Sequence, residues 1–254
     1  MSQTPATPSA TTSQPLTYGT YLNLEPLLQL QHLHSKPPHP DELLFIVVHQ
    51  ASELWFKLIL HELERLVTRL EERDALASLE QLNRVNGLIG IVTAQLHALD
   101  TLSPQCFAQF RGYLGTSSGS QSLQFRAIEL ISGLRAPDYL EYLKSQGPLP
   151  EALERVLSRP SLPELFDALL SARNVSPEQI YGGDEHIDLR LLAEGFLGYE
   201  QSFGMWRFLH VQLVERILGP DTHGTGGSLG GKALRETLTN RFFSSLWTVR
   251  AKFY

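Results

Sequence analysis

The stretch Glu42–Leu60, ELLFIVVHQASELWFKLIL, decides the fold. It is too long for an ordinary strand and shows no period-two alternation. Wound as a helix, it is apolar on nearly every face. Such a helix is expected in the middle of a bundle, buried on several sides. Asp41 offers an N-cap just ahead of it. The breaker Pro37-Pro38-His39-Pro40 closes off whatever precedes it. Charges gather only towards its far end, so the spacing predicts one helix over about 41–73.

The chain on either side of this helix follows the same period. Residues 22–33 and 75–99 read as helices, and Ser103-Pro104 opens another, because proline suits a first turn. LGTSSG, Leu114–Gly119, breaks the pattern, which resumes over 121–134. Residues 135–190 hold short segments divided by Pro137, Pro148, Pro160, Pro163, Pro177 and Gly182-Gly183. Long helices are predicted over 189–218 and 233–249. No strand alternation and no repeat is evident. The fold class is all-α, a bundle built on long buried helices, with residues 16–254 as one domain.

The 254 residues, 42% of them hydrophobic, suffice for one large core. A net charge of −6 with both signs interspersed argues against a nucleic-acid partner. The single cysteine, Cys106, excludes an intrachain disulfide and a C-x-x-C motif, and suits a reducing cytoplasm. Residues 1–15, rich in Ser, Thr and Pro, lack the basic start and apolar core of a signal peptide and read as a disordered tail. The apolar run Leu43–Val48 is too short to span a bilayer, so no membrane is expected.

Several residues invite a chemical reading. Gly226–Lys232 spaces two glycines and a lysine much as a phosphate-binding loop does. It lacks the Ser or Thr after the lysine, since residue 233 is Ala, and a helix rather than a strand precedes it. A tight connection between helices is the simpler reading. His210 lies among Phe203, Trp206, Leu213, Val214 and Ile217 at helical spacing. A lone histidine there is usually a core residue, while the sharper reading is an axial ligand of non-covalent haem. His49, with Glu53 and Lys57 following at one-turn intervals, interrupts the most apolar run. A polar group is costly there without a partner, which tilts the reading towards a ligand pocket. Arg111, beside a Gly/Ser/Thr-rich loop, has the planar fork that pairs with carboxylates, though a surface arginine at a helix end is the simpler reading of the residue alone. His32, His34 and His39 fit no metal motif, and His61-Glu62 lacks the second histidine of a zinc-protease helix.

Taken together, these stretches resemble the tryptophan 2,3-dioxygenases. The likeness is carried, in family order, by LTYGTYLNLEPLL, HPDELLFIVVHQASELWFKLILHELE, FRGYLGTSSGSQSLQFRAIE, MWRFLH, GTGGSLGG and RFFSSLWTVR, spanning Leu16 to Arg250. The resemblance implies haem b held non-covalently between helices, ferrous when active, with His210 as its axial ligand and O2 as co-substrate. It implies cleavage of the indole C2=C3 bond of L-tryptophan to N-formyl-L-kynurenine, the first step of tryptophan degradation. By the same resemblance His49 meets the indole N–H, Arg111 pairs with the substrate carboxylate, and Thr225 contacts the amino-acid head group. Phe45, Leu114 and Ser118 line the pocket. Tyr18, Tyr21 and Leu22 close the pocket of a neighbouring subunit in a homotetramer, a dimer of dimers. The glycine loop around Thr225 is expected to become ordered over bound substrate. Departures from the family pattern fall at Ala51, Phe107, Ser120, the loop 220–223 and the short stretch 131–195. They leave open an alternative, a related haem enzyme oxygenating a substituted tryptophan or another aromatic amino acid in secondary metabolism.

Overall fold

Three helices of more than twenty residues carry the architecture of this computed structural model, which describes residues 16–145, 147–222 and 231–253. In chain order the helices are α1 (Tyr18–Leu22), α2 (Leu24–Leu27), α3 (Pro40–Glu71), α4 (Ala75–Gln95), α5 (Pro104–Arg111), α6 (Leu123–Ile131), α7 (Pro137–Ser145), α8 (Glu151–Leu157), α9 (Leu162–Ala172), α10 (Ile187–Leu218), α11 (Gly231–Glu236) and α12 (Ser244–Val249). Short 3₁₀ turns extend or link several of them, and there is no strand among the described residues. The all-α reading holds. The tail 1–15 and the loop 223–230, which includes Thr225 and most of GTGGSLGG, lie outside the described residues.

α4 packs along both α3 and α10, and the main core fills the space between them. Leu63, Leu66, Leu82, Val85, Leu189 and Phe196 are wholly buried there. Gly195 permits the close approach of α10 to α4, since a Cβ at that position would come 2.9 Å from Leu79 Cδ1 and 3.1 Å from Leu82 Cδ2. α6 crosses α3, and α8 covers α6.

Local chemistry explains the boundaries, including three that differ from the sequence reading. α3 begins at Pro40 rather than Asp41: the His39 ring Nδ1 accepts the Asp41 N–H at 3.2 Å, so His39 is the cap and Pro40 takes the first-turn position that its missing N–H suits. The helix predicted over 22–33 is two short ones. Asn23 turns left-handed (φ 52°) between α1 and α2, and the chain then leaves the helix. The carbonyl of Leu30 is taken by Gln50 Nε2 of α3 at 3.0 Å, and Gln31 Nε2 donates to Gln50 Oε1 at 2.6 Å. Tertiary pairing replaces helical pairing there.

The helix predicted over 233–249 is interrupted between α11 and α12. The backbone N–H groups of Phe242 and Phe243 donate to the Glu200 carboxylate of α10 at 2.7 and 2.8 Å instead of to helical carbonyls. The same carboxylate, 4% exposed, accepts from Trp247 Nε1 at 2.6 Å and Arg241 Nη1 at 3.0 Å. Four donors thus neutralise one buried charge and dock the C-terminal segment on the core.

α3 also differs from the expectation of burial on several sides. Leu43, Val47, Leu54 and Leu58 are between 37% and 55% exposed and lie on one helical face. An 18-residue stretch of α3 is long and apolar enough to cross a membrane, with a mean hydropathy of 1.6. The core helix of a bundle meets the same criterion.

Candidate active site

A second apolar cluster lies beside the main core, where α3, α5 and α10 converge. Val48, Leu96, Leu99, Leu102, Phe107, Phe110 and Leu213 are buried in it, with Phe45, Leu114, Trp206 and Leu209 packed against them. Two histidines adjoin this wall, one from each long helix.

His49 projects from α3. Its Nδ1 lies 2.7 Å from the Phe45 carbonyl oxygen, one turn earlier. A carbonyl only accepts, so this bond assigns the proton to Nδ1 and leaves Nε2 as an acceptor. The Phe45 ring packs against the imidazole with centroids 4.1 Å apart and the planes tilted by 38°. Phe107 and Phe110 of α5 brace Phe45 from behind, at 5.5 and 5.8 Å. Burial holds the His49 pKa below the ordinary 6.5, outweighing the bond to Phe45 and the nearby Glu53 carboxylate, which both raise it. The ring is nonetheless open to solvent. Protein packed around one side of the ring disfavours the charged form, while the other side meets water.

His210 projects from α10, with its ring stacked on Trp206 at 5.1 Å and 20° between planes. Burial pushes its pKa down to about 4, and the His49 ring nearby pushes the same way. His49 and His210 are therefore close enough to feel each other's charge, and both are neutral at pH 7. A neutral imidazole against an apolar wall is the donor that haem iron takes as a non-covalent axial ligand. The residues present fit that cofactor.

Arg111 closes α5 one turn after Phe107 and is partly buried. Leu114 follows it into the cluster through the 3₁₀ turn Gly112–Leu114. Ser118 caps the next turn, its Oγ accepting the Ser120 N–H at 3.3 Å. Phe45, His49, Leu114 and His210 are thus brought to one wall, with Arg111 on the helix that braces it. Tyr18, Tyr21 and Leu22 are not part of that cluster: they are 77%, 74% and 41% exposed on α1. Glu53, read from sequence as part of a polar line with His49 and Lys57, accepts from Gln124 Nε2 of α6 at 2.8 Å, while Lys57 is exposed.

Sequence reasoning passed over two features. The first is the wall formed by Phe107 and Phe110, whose signal was their i, i+3 spacing on a short helix. The second is the meeting of His39, Asp41 and Cys106, whose ligand atoms lie within 4.8 Å of one another. His39 Nδ1 is already engaged in capping α3. The phosphate-loop reading of 226–232 is excluded by its scaffold: α10 precedes it where a strand is required, and Lys232 is exposed.

Residues 3–156 match the family model described as tryptophan 2,3-dioxygenase. A protein of that name from Saccharopolyspora erythraea is 40% identical over 93% of this chain and 92% of its own length. Tryptophan 2,3-dioxygenases from Nocardioides sp. and Herpetosiphon aurantiacus are each 37% identical, over 93% and 94% of this chain and 94% and 99% of their own lengths.

Proposed function

The chain belongs to the tryptophan 2,3-dioxygenase family, and from that premise we propose how its residues share the oxidation of L-tryptophan by O2 to N-formyl-L-kynurenine. The family uses haem and O2. The identical names of the relatives favour this activity over the oxygenation of a substituted tryptophan or another aromatic amino acid.

The observation that carries the assignment of roles is the pair of neutral histidines beside one apolar wall, His210 on α10 and His49 on α3. His210 would hold the haem iron. Haem b, when bound in its ferrous form, would supply the activation of O2. The indole lies against Phe45 and Leu114, and water is kept from it by the cluster behind them. Nε2 of His49, left as an acceptor by the bond from Nδ1 to the Phe45 carbonyl, takes the indole N–H and sets the ring's orientation. Arg111 pairs with the carboxylate, because a guanidinium fork matches it. Ser118 borders the pocket. Thr225, outside the described residues, contacts the head group. A substrate without the indole N–H or the carboxylate would leave these groups unpaired, which is the basis of selectivity.

Residues 16–254 act as one unit in a cytoplasmic homotetramer, a dimer of dimers. Tyr18, Tyr21 and Leu22, exposed on their own chain, close the neighbour's cleft. The uncovered face of α3 supports self-association of this kind.

His210→Ala tests the assignment. Purified, haem-reconstituted protein is expected to show a Soret band that moves when CO is added after reduction. The variant is expected to lose most of its haem while keeping its helical circular dichroism. Undiminished haem in the variant would remove His210 from the axial position.

A further inference from the structure

Trp206 stands four residues before His210, one turn away on the same face of α10, and the two rings lie nearly parallel. Rings from three helices hold the indole: Phe125 of α6 at 4.9 Å, Phe203 of α10 at 6.1 Å, and Phe56 of α3 edge-on at 6.2 Å. Trp206 packs against both the main core and the cleft wall. Its position is therefore set by the whole bundle rather than by its own helix.

Its Nε1–H is covered by protein and has no acceptor among the described residues. A buried, unpaired donor is unfavourable, and a phenylalanine would avoid it. A histidine bound to a metal usually donates its second N–H to a carboxylate or carbonyl, which fixes the ring's plane. Among the described residues no hydrogen bond reaches His210, and its ring contact is the Trp206 face.

We propose that Trp206 is the positioning residue of the axial imidazole: its indole face fixes the plane of the His210 ring about the bond to haem iron, in place of a hydrogen bond. This rests on the reading of His210 as the axial ligand. An imidazole held by one bond to iron can turn about that bond, and a flat neighbour at stacking distance removes the freedom. The rigid aromatic cluster behind Trp206 transmits the orientation of the core to the metal ligand.

The test uses reconstituted ferrous holoprotein and reads the iron–imidazole stretching band by resonance Raman spectroscopy. Trp206→Leu removes the flat face; the band is expected to shift and broaden, and haem affinity to fall about tenfold, as for loss of other groups that orient metal ligands. Trp206→Phe restores a face and removes the orphaned donor; its band is expected to return towards that of the parent protein. If the leucine variant does not fold, Trp206→Met, closer in volume but without a face, is read in the same way. An unshifted, equally narrow band in the leucine or methionine variant overturns the proposal, as does a phenylalanine variant displaced as far as either. His210→Ala separates the two levels: a band that persists in it overturns the axial assignment itself, whatever the Trp206 variants show.

Discussion

At the scale of single residues, His49 offers the sharpest consequence. Burial lowers its pKa below 6.5, so the ring is neutral at pH 7 and Nε2 is an acceptor there. The acid limb of kcat/KM for tryptophan, which reports the free enzyme, is expected to have its midpoint below 6.5. A midpoint at or above 6.5 would contradict the assigned proton. His49 orients rather than deprotonates in this reading. His49→Ala should therefore cost roughly tenfold in kcat/KM, on the order of one hydrogen bond, and leave measurable turnover. Complete loss of turnover with tryptophan and O2 still binding would make His49 an obligatory base. His49 stood out as a candidate in the sequence because a histidine interrupts the apolar run FIVVHQ. Its tautomer was not legible there, because it depends on a backbone carbonyl that only the coiled helix brings to 2.7 Å. Arg111 carried even less signal of its own, since an arginine at a helix end has an ordinary explanation.

At the scale of elements, the buried carboxylate of Glu200 does most to join distant segments. Glu200→Ala leaves two backbone N–H groups, an indole N–H and a guanidinium without their acceptor. Arg241 is half-exposed and stays hydrated, so the cost falls on the two buried backbone N–H groups, about 1–3 kcal/mol each when left unpaired. For a chain of this size, each kcal/mol lowers Tm by roughly 2–4 °C. A fall of about 10 °C is expected in calorimetry, and a change within 2 °C would show that the segment is held by its aromatic contacts alone. The same carboxylate explains why sequence periodicity failed over 233–249. The apolar spacing there suits a helix, but the donors of Phe242 and Phe243 are claimed by a residue about forty positions away. The failure at 22–33 is of the same kind, since Gln50 takes the Leu30 carbonyl. In α3, α4 and α10 the period located the helices to within a few residues.

At the scale of the whole molecule, the uncovered face of α3 matters most. Leu43, Val47, Leu54 and Leu58 form an apolar stripe on the helix that carries His49. Left in water, such a stripe favours association. The protein is expected to run as a tetramer in light scattering coupled to size exclusion. Leu54→Lys with Leu58→Lys should shift it to smaller species, because a charge at a close-packed interface is costly to bury. A double variant of unchanged mass would place the interface elsewhere. The all-round apolarity of Glu42–Leu60 was plain in the sequence. Which part of it this chain covers was not, because a face buried by the same chain and a face left for another copy have the same composition.

The Glu200 clasp has a temporal side as well. Its donors lie 41 to 47 positions further along the chain. While the protein is being synthesised, α10 emerges with an ionised carboxylate on the surface that must later enter the core, and nothing yet made can neutralise it. A carboxylate is kept in water by its own hydration until partners replace that hydration. A nascent chain stopped short of residues 241–247 lacks all four donors to this carboxylate, and its Glu200 is expected to stay hydrated until they arrive.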